Sequence, residues 1–442
     1  MMERSRLPAA PGGRPAGMTA TRIRHGIGLI AFACLAAAIV LAMHGGSPLA
    51  WAHAQEQKGA GNTVRPEIGK PIQAAVELIK NKRGREALAR VRDAESVADK
   101  TPYEAYLIER VRGQAAAATG DASVAARAFE ATAASSAASS AERLQFLGAA
   151  AGQYYAAKDY GKAAEVSARY FRDGGTDKAV RTVYVQALYL GNDFARAASE
   201  LLKDVQAGEA AGKPPTEQQL QILANAYLKQ RDNAGYRGAL EKLVAYYPKK
   251  DYWLSAVHDV AGKAGFSERL ALDLARLKLA TGTMRTATEY VEAAQLSLQA
   301  GYPAEAKKLI DLGYSAGLLG TGPDADRHKR LHDLVARNLT EDKKTLGQDD
   351  AQLAASKDGS ALFNTGLNYV LNGSGNKGLE MMEQSIRKGA LKRPDDARLQ
   401  LGYAYHVAGQ NQKAIQVLKT VQGADGTAAL ARLWVLHLGR SS

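Results

Sequence analysis

Residues 401–421 read LGYAYHVAGQNQKAIQVLKTV, and this stretch decides the fold. Leu401, Gly402 and Tyr405 fall on one face of a helix, Gly409 ends it, and Ala414 and Leu418 share a face of a second helix. The small residues Gly402 and Ala414 let the two helices approach closely, while Tyr405 and Leu418 fill the space around that contact. The unit is a helical hairpin. Gly366, Tyr369, Gly378 and Met382 repeat it one unit earlier, Gly366 lying 36 residues before Gly402.

Working outward, apolar residues recur at helical spacing and are broken in pairs by Gly, Asp, Asn or Pro. The breaks predict hairpins at 71–98, 102–134, 140–173, 177–206, 216–247, 251–280, 286–316, 323–357, 360–389 and 394–422. Strand alternation is weak, so the expected fold is all-α, a solenoid of about ten antiparallel helical hairpins. Residues 55–70 are expected as a flexible linker, 71–422 as the array, and 423–442 as a cap built on a helix from Thr427 to Leu438. Asp121 is the expected cap of one second helix, Lys158-Asp159-Tyr160 a turn, and Pro303 the start of another second helix after Gly301. Two pairs fit less well. Extra residues surround Asp232 to Gly235, and Thr340 to Gly359 is polar enough to be partly loop.

The period of about 35 residues, with small residues at Gly113, Ala151, Ala294, Gly366 and Gly402 in first helices and at Ala125, Ala163, Ala306 and Ala414 in second helices, resembles the tetratricopeptide repeat family. That resemblance implies binding of protein or peptide partners and implies no particular reaction.

Residues 1–54 carry a targeting pattern. Arg22, Arg24 and His25 form a basic start, Ile27 to Met43 run apolar, and Ala52-His53-Ala54 fits a cleavage site that would make Gln55 the mature start. The expectation is export to a bacterial periplasm, with attachment to the inner membrane if the segment stays uncleaved and no other membrane contact. The single cysteine, Cys34, lies inside this segment, so the exported chain would have neither disulfides nor thiolate metal sites.

The net charge is +13, and the first 54 residues hold five arginines against Glu3, which leaves +9 for the remainder. Basic groups at Lys80 to Arg85, Arg327 to Arg330 and Arg387 to Arg393 are scattered and interrupted, unlike the dense patch of a nucleic-acid binder. No nucleic-acid partner is therefore expected.

Catalytic motifs of the zincin, serine-hydrolase and phosphate-loop kinds are missing, so neither catalytic residues nor cofactors are expected. His328 and His332 stand four apart beside Asp324 and Asp333, but Arg327, Lys329 and Arg330 would repel a cation, and no metal site is expected. Partner binding is placed on the inner face of the first helices, at the residue following each close-packed position. This gives the carboxamides Gln114, Gln186, Asn225 and Gln295, whose donors and acceptors suit an extended peptide. Further along, Phe363, Leu367, Tyr403 and His406 make the same face apolar, unless the last helix covers it with Trp434 as a plug. The expected function is a non-catalytic protein-binding scaffold of the cell envelope; the alternative is a glycan-binding or enzyme-accessory solenoid. The sequence does not indicate an oligomeric state.

Overall fold

The computed structural model describes residues 63–389 and 391–439, so the targeting pattern, the Ala54 cleavage site and Cys34 lie outside the described residues. Those residues form helices joined by turns and contain no strand. Two compact units are present: residues 63–214 with 225–232, and residues 215–224 with 233–439.

The first unit holds α1 (Pro66–Lys80), α2 (Gly84–Glu95), α3 (Pro102–Thr119), α4 (Ala122–Ala134), α5 (Ser140–Ala156), α6 (Tyr160–Arg172), α7 (Lys178–Leu190), α8 (Phe194–Ala210) and the C-terminal half of α9 (Glu217–Gln230). Neighbouring helices pack in pairs as the spacing predicts. The chain starts its first helix earlier than expected, because Ile68 and Ile72 are buried on the same face as Ala75 and draw residues 66–70 out of the supposed linker. Pro71 thus sits inside α1 and Pro66 opens it.

One local device builds the hairpins. Lys82, Gly120, Lys158, Asn192 and Arg231 all adopt left-handed backbone at the turn between first and second helices, and they lie 34 to 39 residues apart. An aspartate follows four of them, and after Gly120, Lys158 and Asn192 it has two tasks. The Asp121, Asp159 and Asp193 N–H groups donate back to Ala116, Tyr154 and Leu188 carbonyls, closing the first helix. Their carboxylates accept from the Val124, Lys162 and Arg196 N–H groups, capping the second. First helices open differently. Thr101 and Ser139 form reciprocal capping boxes with Glu104 and Glu142.

The second unit continues with the N-terminal half of α9, then α10 (Asn233–Tyr246), α11 (Lys250–Ala261), a 3-10 turn (Glu268–Leu270), α12 (Ala271–Ala280), α13 (Ala287–Gln299) and α14 (Pro303–Ser315). It ends with α15 (Ala325–Thr345), α16 (Asp350–Ala355), α17 (Gly359–Leu371), α18 (Gly375–Lys388), α19 (Pro394–Val407), α20 (Asn411–Leu418) and α21 (Thr427–Leu438). Left-handed turns recur at Gly265, Gly301, Gly373 and Gly409. The residues near Asp232 are no insertion, since α10 begins at Asn233.

Close approach of paired helices occurs where the small residues stand. A Cβ added at Gly113 would lie 2.5 Å from Phe129, at Gly366 2.8 Å from the Met382 side chain, and at Gly402 2.4 Å from Leu418. In each case the second residue follows the glycine by sixteen positions, so one contact geometry repeats through both units.

The expected hairpin at 323–357 is the exception. Helix α15 buries only His328, Leu331 and Val335 and packs on α14, while the six-residue α16 buries nothing. The apolar face of α15 is taken up by α14 and α16 buries no residue, so the two do not pair as a hairpin.

Candidate functional site

Within the second unit, the last helix folds back. Helix α21 packs on α10, α11 and α12 as well as on α19 and α20. Trp434, 1% exposed, sets its ring 5.8 Å from Tyr403 and 5.4 Å from His406, and His437 lies 5.9 Å from both Trp434 and Trp253. Just before this helix, Gly426 adopts left-handed backbone, and a Cβ there would come within 2.5 Å of Phe266. The Arg269 guanidinium donates to both Asp396 oxygens at 2.7 and 2.9 Å and to Asp425, and the Ser267 N–H donates to the Asp425 carbonyl.

Behind this seam lies a buried polar cluster that motif-based reading of the sequence missed. Arg276 of α12 donates to Glu305 through Nε and a terminal nitrogen at 2.8 and 2.7 Å, and to Asp273 at 2.8 Å. Its guanidinium centre stands 4.6 Å from the Tyr403 ring centre and 5.6 Å from that of Tyr302. The Tyr403 hydroxyl donates to Glu305 at 2.8 Å, and Ser297 donates at 3.3 Å. Burial pushes the Asp273 carboxyl above its ordinary value, and Arg276 only partly offsets this. Burial opposes the Glu305 charge as well, but the charge and hydrogen bonds of Arg276 win and hold that carboxyl low. A signal existed in the sequence: Asp273 and Arg276 stand three apart among the leucines of ALDLARLKLA, charged residues where a core face was due.

The expected binding residues separate accordingly. Gln114 on α3 is exposed, and Gln295 on α13 is half-buried. Gln186 is buried within α7, and Asn225 is buried and accepts from the Tyr189 hydroxyl at 2.7 Å, so it ties neighbouring first helices together. Four other assignments need correction. Phe363 and Leu367 are 4% and 0% exposed and belong to the packing of α17. Tyr403 is committed to Glu305 and Arg276, and His406, within hydrogen-bond distance of Asn411 at 3.0 Å, lies against Trp434. The expected apolar inner face is therefore not free: the packing of α17 buries Phe363 and Leu367, and Trp434 of α21 lies against Tyr403 and His406.

The histidine pair of α15 also divides. His328 is buried and accepts from the Gly320 N–H at 3.2 Å, whereas His332 stacks edge-on to Tyr314 and lies 3.9 Å from Asp311. No group of three or more potential metal ligands is found among the described residues, and none of their helices is long and apolar enough to cross a membrane.

An accessible concavity does exist in the second unit. A cleft of about 430 Å³ lies between α14, α15 and the end of α17, with Lys307, Lys308 and Lys343 as its cations and Leu312, Leu339 and Leu371 as its apolar wall.

No known family model and no curated protein matches the chain. Residue geometry alone therefore bears on what it does.

Proposed function

We propose that the chain is a non-catalytic scaffold of the bacterial cell envelope, exported through its N-terminal segment, that holds protein or peptide partners on a tetratricopeptide-like helical array. The observation that carries this reading is the repeated hairpin, with its left-handed turn every 34 to 39 residues through the first unit and the same close-packed position at Gly113, Gly366 and Gly402. Arrays of this kind present long surfaces built from many similar helices, which suits extended partners. The glycan-binding alternative gains less support. Tyr106, Tyr154, Tyr189, Tyr252, Tyr369 and Tyr405 all donate their hydroxyls to acids or to an amide of the chain, which ties their rings into the packing.

The test is crosslinking in intact envelopes, followed by titration of the recovered partner against the full chain. Mass spectrometry of the same fraction should find a mature start near Gln55. A full-length cytoplasmic product, or no protein partner above background, would sink the proposal. Gln114→Ala with Gln295→Ala, the two more accessible carboxamides, should weaken the partner by about 0.5 to 1.5 kcal/mol per hydrogen bond lost. Chelator should change nothing.

A further inference from the structure

We infer that the cleft between α14, α15 and α17 is a docking site for an acidic peptide segment, a proposal that rests on the scaffold reading above. Three observations point to that ligand. The first is charge. Lys307 is neutralised by Asp311, to which it donates at 2.6 and 2.7 Å, but Lys308 and Lys343 are exposed and have no acidic partner among the described residues. Two uncompensated ammonium groups facing one cleft favour an anion.

The second observation is an acceptor in want of a donor. Asn372 lines the cleft, and its Nδ2 donates to Asp342 Oδ2 at 3.2 Å and to the Asn368 carbonyl at 3.0 Å, which fixes the orientation of its amide. Its Oδ1 is buried and has no hydrogen-bond partner. A phosphate or carboxylate offers nothing to such an atom. A peptide main chain offers N–H groups beside its acidic side chains. The third observation is the wall of Leu312, Leu339 and Leu371, with Leu312 38% exposed, which matches apolar side chains interspersed among the acids. The volume suits a few residues of extended chain rather than a folded domain.

The experiment is fluorescence anisotropy on the full chain with a labelled peptide of alternating glutamate and leucine, and with its lysine-leucine counterpart. Two variants of equal charge change are compared: Lys308→Glu with Lys343→Glu in the cleft, and Lys178→Glu with Lys229→Glu in the first unit. All four lysines are exposed, and circular dichroism checks that both variants keep the fold. The expected result is saturable binding of the acidic peptide, weakened by about tenfold or more in the cleft variant and far less in the other, with rising salt acting in the same direction. Equal weakening in both variants, equal binding of the basic peptide, or no binding overturns the inference. So does binding of phosphatidylglycerol vesicles or inorganic phosphate that depends on Lys308 and Lys343 while the peptide fails. A partner from the envelope that binds the cleft variant as tightly as the unaltered chain removes the cleft and leaves the scaffold reading standing.

Discussion

The Tyr403 hydroxyl donates to Glu305 at 2.8 Å across 98 residues of sequence, while its ring faces the Arg276 guanidinium that pairs with the same carboxylate. Three helices, α12, α14 and α19, thereby meet at one buried charge cluster. A cation shared by two buried carboxylates is costly to disturb, since removing one partner leaves the others unpaired in a medium of low dielectric.

Arg276→Leu should therefore destabilise the second unit by about 3 to 5 kcal/mol. Tyr403→Phe, which removes a hydrogen bond to a charged acceptor, should cost about 1.5 to 3 kcal/mol. Urea unfolding followed by tryptophan fluorescence reads both, because Trp253 and Trp434 are buried in that unit. The double variant should fall short of the sum, and strict additivity would mean that the two side chains act independently.

Gly402→Ala should cost about 1 to 3 kcal/mol, because the new Cβ would lie 2.4 Å from Leu418 where no room exists. A solenoid with free ends would loosen at α19 and α20 alone. Since α21 packs back on α12, faster hydrogen exchange should reach residues 266–276 as well. Exchange confined to the last hairpin would argue against closure.

Acid should open the first hairpins of the first unit. Glu104 accepts from the Arg65 N–H, Nε and a terminal nitrogen at 2.9 to 3.0 Å, and these bonds hold its carboxyl at about 2, well below the ordinary 4.5. A depressed carboxylate contributes stability above the ordinary value and loses it as pH falls from about 4.5 towards about 2. Hydrogen exchange of residues 66–119 should accelerate across that window. Glu104→Gln should flatten the dependence there, and an unchanged profile would show that the Arg65 contact contributes nothing.

Asn225→Ala should remove the 2.7 Å hydrogen bond from the Tyr189 hydroxyl and cost about 0.5 to 1.5 kcal/mol, whereas Tyr189→Phe with Asn225→Leu should be closer to neutral. Thermal unfolding compares them. Asn225→Ala that weakens a partner without lowering stability would instead return Asn225 to the binding surface.

The sequence by itself determined the elements. Paired helices, the turns at Gly120, Lys158 and Gly409, the Asp121 cap and the tight positions at Gly113 and Gly402 are all set by interactions within about twenty residues, and periodicity and capping chemistry register such interactions directly. Helix α1 began early because Ile68 and Ile72 extend the apolar stripe behind Pro71, a local signal outweighed by the proline. Only the tertiary structure decided which faces stay accessible. Phe363, Leu367, Tyr403 and His406 have the spacing of an inner surface, yet Phe363 and Leu367 are buried in the packing of α17, and α21, returning to α10, α11 and α12, lays Trp434 against Tyr403 and His406. That return depends on Arg269 with Asp396, Phe266 with Gly426, and Tyr403 with Glu305, pairs separated by about 100 residues or more, and no repeat period specifies such pairings. The lysine cleft has the same origin, since Lys308, Lys343 and Leu371 belong to three helices and share a surface only once those helices pack.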